Sequence, residues 1–149
     1  MSNQVPNSFK AMLWKGQING LSDTFKIILM KSGFVFSKTA HHAYADVAAN
    51  ELDNGNGYTT GGNTLTGVDI SVNDVLNRAE VTWSAASWNA TGGSLVASGA
   101  IIYDDSTLVD SGDDYTDAIV AYKDAGGDIT AVDGTPIVVS SIMETIEEV

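Results

Sequence analysis

From residue 57 onward, short apolar runs alternate with clusters of Gly, Asn and Asp, and this alternation constrains the fold more than any other feature. The runs are rich in β-branched and aromatic residues, as strands are, and each is too short for a typical helix. Short strands separated by such turns are typical of two packed antiparallel sheets. The expected strands cover residues 65–72, 79–83, 95–103, 118–122 and 137–139, and the expected turns cover 126–128 and 133–136.

Before this region, residues 24–31 have the two-residue period of a core strand. Phe25, Ile27 and Leu29 share one face of the expected strand, while Lys26 and Ile28 share the other. The run at 95–103 is strongly apolar over its whole length, so we expect it to form a central strand.

Two segments near the N-terminus favour helix. Asn7 or Ser8 is the expected N-cap of a helix of two or three turns, whose apolar residues recur at helical spacing. Thr39 is the expected N-cap of an Ala-rich segment over 40–52, which forms a short surface helix or a helical turn.

The sequence therefore predicts a mainly β protein: a single-domain antiparallel β-sandwich, jelly-roll-like or Ig-like, with one or two short helices near the N-terminus. Its 149 residues are enough for one hydrophobic core. We expect an N-terminal arm with a short helix over residues 1–22, the sandwich over 23–140 and a C-terminal tail over 141–149. The apolar residues of the tail fit either a helix or a strand-like arm.

Charge excludes several partners. Seven Lys and Arg against 19 Asp and Glu give a net charge of -12, which disfavours binding to nucleic acid or to an anionic membrane surface. No apolar run is long enough to span a bilayer, and the first residues do not resemble a signal peptide. Residues 1–38 hold five Lys and one Asp. Such a basic segment either lies on an acidic neighbour, in its own domain or in another copy, or reflects chance.

Metal ligands are few because the chain has no Cys. His41 and His42 are adjacent, so their side chains diverge in a helix or a strand, although Asp46 would share a helical face with His42. Residues 53–57 lack the oxygen-ligand spacing of a calcium-binding loop and are expected to form a turn.

The acidic stretch between residues 104 and 117 is the densest in the chain. A solvated loop is its favoured interpretation, and a site for a divalent cation is the alternative. The candidate ligands would be Asp104, Asp105, Asp113 and Asp114.

No catalytic constellation is visible in the sequence. The Gly-rich residues 57–62 are not followed by the Lys-Ser/Thr of a phosphate-binding loop, and a Gly-x-Ser-x-Gly nucleophile motif is absent. We therefore expect a protein that is not an enzyme and that needs no cofactor.

Several pieces of the chain, taken in order over residues 8 to 140, resemble a family of small virion structural proteins of tailed bacteriophages. The most specific pieces are NEL at 50–52 and GNGYTTGGNTL at 55–65. The other matching pieces are residues 9–13, 23–29, 32–36, 41–47, 81–83, 100–105 and 126–128. The acidic stretch and the C-terminal tail depart from the family.

The resemblance implies a head decoration, or cement, protein. Such a protein would be made in the cytoplasm of the host bacterium and would bind the outer surface of the virion. Its partners would be the major capsid protein and further copies of itself, as a homotrimer at local three-fold points. The alternatives are a tail, collar or baseplate component and, in another class, a β-sandwich module that binds a glycan or a receptor.

Interface residues would then come from two regions. The basic N-terminal segment is one candidate strap, with Phe9, Lys10 and Lys15, and the C-terminal tail is another. Trp88 lies in a polar run and is our preferred exposed aromatic anchor, with a core residue at a strand end as the alternative.

Overall fold

The computed structural model describes residues 2–106, 114–140 and 142–147. Within these ranges the chain is mainly β, with two short α-helices and one 3-10 turn (Ala48–Asn50). The helices and strands are β1 (Ser2–Gln4), α1 (Asn7–Trp14), β2 (Phe25–Met30), α2 (Tyr44–Val47), β3 (Asn63–Thr64), β4 (Asp69–Asn73), β5 (Arg78–Trp83), β6 (Ala86–Asn89), β7 (Leu95–Asp104), β8 (Ile119–Ala131), β9 (Pro136–Val139) and β10 (Ile142–Glu147).

The strands form three antiparallel sheets. The largest has the order β1-β8-β7-β2-β3, the second has the order β10-β5-β4, and the third pairs β6 with β9. β7 lies in the middle of the five-stranded sheet, as its continuous apolar composition predicts. The result is a β-sandwich-like single domain, which confirms the predicted fold class.

Both faces of the five-stranded sheet are buried. Ile27 and Ile102 belong to a core cluster on one face, which also holds residues of α1, β5, β6 and β9. Ile28 and Ile101 belong to a second cluster on the other face, with Val47 of α2. The alternation predicted for β2 is therefore confirmed, because neighbouring residues of a strand point to opposite faces.

The turn predicted at residues 126–128 is wrong. These residues lie inside β8, where the pairing with β7 jumps from Ala97↔Ile129 to Gly99↔Asp124. Such a jump is a β-bulge, and Gly126 has the positive φ of 76° that such an irregularity favours. The glycines therefore mark a bulge within a long strand. The turn predicted at 133–136 is present at 133–134, and Pro136 is already the first residue of β9.

The second predicted helix is shorter than its composition suggests, and Thr39 does not cap it. Ala43 is the N-cap, and the Asp46 carboxylate accepts hydrogen bonds from the N–H groups of His42 and Ala43. Ala43 also forms an antiparallel bridge with Ala118. This long-range pairing holds the preceding residues out of the helix, so propensity is overridden by tertiary structure.

The two ends of the chain join the sheets. β1 forms one edge of the five-stranded sheet by pairing with β8, and Phe9 and Met12 of α1 lie in the core. Pro6 is the N-cap of α1, so neither of the predicted caps is correct. In the tail, residues 142–147 form β10, which pairs with β5; the strand alternative is the one observed.

Candidate interaction surface

The β4–β5 hairpin presents exposed apolar side chains. Ile70 and Val72 of β4 lie opposite Val81 and Ala79 of β5, so the four share one face of the hairpin. Exposure increases toward the turn, where Val75 is 93% exposed. A small soluble domain rarely leaves several neighbouring aliphatic side chains uncovered unless they contact a partner.

Under the base of this face lies an apolar groove of about 160 Å³. Ile70 and Val81 line it on the hairpin side, and Leu13 and Phe25 line it on the side of α1 and β2. Its size suits one or two apolar side chains. Such a groove is the form of pocket into which an anchor residue of a protein partner inserts.

Two further exposed apolar residues are sequence neighbours of residues that line the groove. Trp14 directly follows the lining residue Leu13 and is 93% exposed, and Leu21 directly follows the lining residue Gly20. We call these two residues and the exposed apolar residues of the hairpin the hairpin surface: Trp14, Leu21, Ile70, Val72, Val75 and Leu76.

The opposite face of the hairpin is polar and internally paired. Arg78 Nε donates to Glu80 Oε1 at 2.7 Å, and Asn73 Nδ2 donates to the same oxygen at 3.1 Å. These hydrogen bonds, that of Arg78 first, lower the pKa of the Glu80 carboxyl. The two faces therefore differ in chemistry, and the apolar one is the candidate for contact with a partner.

The basic N-terminal region contacts its own domain. Lys15, Lys26 and Lys31 form ion pairs with Asp114, Asp105 and Asp53 at 2.8 to 2.9 Å. A basic segment could lie on acidic residues of its own domain or of another copy. For these three lysines the acidic residues belong to the same domain. The other lysine among the interface candidates, Lys10, is exposed on α1.

Two of the predicted interface residues lie in the core. Trp88 is only 4% exposed and packs near Tyr58, and Phe9 is also buried. The expectation that Trp88 is exposed is therefore wrong, and the core alternative is correct. The prediction relied on the polar neighbours of Trp88, but alternate residues of a strand point to opposite faces. β6 therefore buries Trp88 while Ser87 and Asn89 are exposed.

The predicted acidic ligands do not converge in the described residues. Asp105 pairs with Lys26 and Asp114 with Lys15, while Asp113 lies outside the described residues. Within 2–106, 114–140 and 142–147, no three His, Asp or Glu side chains are placed to hold a metal ion. Asp104 is buried, and burial raises the pKa of its carboxyl to about 6, assisted by the neighbouring carboxyl of Asp23.

The histidines have structural contacts. His42 Nδ1 lies 3.0 Å from Ser8 Oγ, and its ring stacks on Tyr115 at a centroid distance of 4.7 Å. His41 packs against Phe34 and accepts a hydrogen bond from the Ser37 N–H at Nδ1. These contacts join α1, the 37–42 turn and the segment before β8.

Sequence reasoning missed a buried polar cluster around Glu51. Tyr44 and Tyr58 donate their hydroxyl hydrogens to the two Glu51 oxygens at 2.5 and 2.6 Å, and the Gly61 N–H donates at 2.7 Å. Burial and the Glu51 hydrogen bond raise the pKa of Tyr44 to about 12. Glu51 is the only glutamate before residue 80 in a chain whose other acidic residues there are all Asp, and this is the signal that the sequence offers for the cluster.

The Gly-rich loop after Glu51 is explained by close backbone contact. A Cβ at Gly57 would lie 1.9 Å from the Asn89 carbonyl oxygen, and one at Gly62 would lie 2.0 Å from that of Ile27. Both glycines also have positive φ. The loop therefore packs against β2 and β6, which accounts for its glycines without a bound phosphate.

Comparison of the chain with protein-family models, with curated proteins and with solved structures finds no match. Within the described part of the chain, no helix combines the length and the apolar composition that crossing a membrane requires.

Proposed function

We propose that this chain is a non-enzymatic capsid decoration protein of a tailed bacteriophage, which binds the outside of the major capsid protein lattice and stabilises the mature head. The observation that carries the proposal is the hairpin surface: Val72 and Val75 are exposed on a hairpin whose base, at Ile70, lines an apolar groove. The ordered resemblance of the sequence to virion structural proteins supplies the partner.

The physical properties of the chain support this role. A decoration protein docks through a modest patch, and weak contacts are multiplied by the symmetry and the number of copies on a shell. The net charge of -12 disfavours binding to DNA. The apolar β4–β5 hairpin, exposed on a domain with a buried core, provides such a patch.

We place the protein on the outer surface of the virion, after synthesis in the host bacterial cytoplasm, as a homotrimer at local three-fold points. A tail, collar or baseplate component is the alternative location. The test is the copy number relative to the major capsid protein, measured by quantitative mass spectrometry of purified virions. Comparable copy numbers support the proposal; a few dozen copies favour the alternative, and absence from the particle overturns both.

Docking itself is tested at the hairpin. In Val75→Asp a charge replaces a 93% exposed apolar side chain, so the fold is retained while the apolar contact is lost. We expect binding to capsid shells that lack the protein to weaken at least about tenfold, a cost of roughly 1.4 kcal/mol. The matched control is Val35→Asp, since Val35 is exposed on a different loop. Equal binding by the two variants would exclude the hairpin surface as the docking site.

A further inference from the structure

β4 is an edge strand with an open side. It pairs along its full length with β5, and across residues 2–106, 114–140 and 142–147 no strand pairs with its other side. An open edge presents backbone N–H and C=O groups that can pair with another strand. Natural edges are protected by charged side chains, by Pro or by a bulge. The sequence DISVN of β4 has one charged residue, Asp69 at its first position, and neither Pro nor a bulge.

The side chains of β4 also favour pairing with another strand. Ile70 and Val72 project from its apolar face, at 48% and 76% exposure, while Asp69, Ser71 and Asn73 project from its polar face. An added strand would cover the apolar pair and satisfy the backbone groups at the same time.

The sequence of β4 is self-complementary when read antiparallel about Ser71. In that register Ile70 lies opposite Val72 of a second copy, and Asp69 lies opposite Asn73 of that copy. This is also the one register that pairs all five residues of the strand. No carboxylate opposes another carboxylate, which matters for a chain of net charge -12.

We propose that β4 pairs antiparallel with β4 of a second copy of this chain, with the two-fold axis at Ser71, so that two three-stranded sheets become one continuous sheet. The pairing is isologous: each copy offers the same strand and receives the same strand. The inference goes beyond the proposed function because it concerns the free chain. Because Ile70 and Val72 also belong to the hairpin surface, a chain paired in this way and a chain docked on the capsid are alternative states.

The register is tested by disulfide cross-linking, which is clean because the chain has no native Cys. In the proposed pair Ser71 faces itself, so Ser71→Cys places two thiols within disulfide reach. Two copies of residue 69 would lie about 13 Å apart, four residues along a strand, beyond that reach. Asp69→Cys and Asn73→Cys should therefore cross-link when mixed, and neither should do so alone.

The control for random collision is Ser87→Cys, because Ser87 is an exposed serine on another strand. We expect oxidised Ser71→Cys dimers well above this control, together with the mixed 69–73 dimer. Cross-linking of Ser71→Cys no greater than that of Ser87→Cys would overturn the proposal and leave β4 to a strand of a different protein. Equal cross-linking at 69, 71 and 73 would overturn it also, since collisions have no register.

Sedimentation of the unmodified chain gives an independent test. Because both copies carry a charge of -12, the dimer fraction should rise as salt screens their repulsion. Val72→Lys adds a charge to the edge at an exposed position, and it should weaken pairing at least about tenfold without loss of folding. The pairing would be contradicted if the unmodified chain stayed monomeric at every salt concentration. It would also be contradicted if the Val72→Lys variant dimerised with unchanged affinity.

Discussion

The five-stranded sheet and the β4–β5 hairpin both carry apolar side chains, yet they differ in how many faces are covered. Ile101 and Ile102, adjacent on β7, are both fully buried because protein lies on each side of that sheet. Val72 on β4 is mostly exposed, because the hairpin extends beyond the groove at its base. Apolar residues thus stabilise the fold in one region and remain available to a partner in the other.

The largest expected effect on stability is at the Glu51 cluster, which holds the Gly-rich loop beside β2. Glu51→Ala removes the acceptor of Tyr44, Tyr58 and the Gly61 N–H, leaving these groups unpaired. We expect the free energy of unfolding to fall by about 3–5 kcal/mol, measured by urea denaturation. Tyr44→Phe, which removes one donor, should cost only about 1 kcal/mol. An equal loss in the two variants would mean that Glu51 does not organise the cluster.

The second prediction sets one residue of each region against the other. Ile102→Ala leaves a cavity in the core and should lower the free energy of unfolding by about 2–5 kcal/mol. Val75→Ala, at the exposed turn, should change it by no more than about 0.5 kcal/mol. Both are measured in the same denaturation series. Comparable losses would show that the hairpin belongs to the cooperative core and is not a surface kept for binding.

The sequence predicts the covered region well for a physical reason. Periodicity reports which residues of one strand share a face, and for β2 and β7 both faces are buried, so composition and pattern agree. Prediction from periodicity fails where a contact between residues distant in sequence determines the local structure. Ala43 bridges to Ala118 and shortens the second helix, and the bulge in β8 converts an expected turn into strand.

The candidate surface was harder to predict from sequence than the core. Trp88 and Val75 both sit among mostly polar residues, yet Trp88 is buried and Val75 is exposed. Exposure depends on which sheet covers which face, and that is a property of the assembled layers. The Glu51 cluster likewise joins residues whose proximity appears only once α2 and the Gly-rich loop have folded together.

The third prediction concerns pH and the end of β7, within the covered region. The pKa of Asp104 rises from about 3.8 to about 6 on folding, chiefly by burial. A raised carboxyl pKa contributes stability that is complete below about pH 3.8 and is lost as the pH rises through about 6.

Asp104→Asn removes this titration and keeps an oxygen that can accept the Ser106 N–H. We therefore expect the variant to be more stable than the unmodified chain at pH 8, by about 1–3 kcal/mol. The difference should shrink as the pH falls from 7 to 4. Urea denaturation at several pH values measures it, and an unchanged pH dependence in the variant would assign the titration to another group.

The smallest expected effect lies at the boundary between the two regions. Lys15 at the end of α1 pairs with Asp114 at 2.8 Å; the Lys15 side chain is 38% exposed, whereas that of Asp114 is buried and also accepts a hydrogen bond from Gln17 Nε2. Because water screens the exposed ammonium and Gln17 still donates to the buried carboxylate, Lys15→Met should cost only about 1 kcal/mol, and the cost should decrease with added salt. Lys10→Met, at an exposed position of the same helix, is the matched control and should cost less. A salt-independent loss at Lys15 would mean that its aliphatic stem, and not its charge, holds α1 beside the groove.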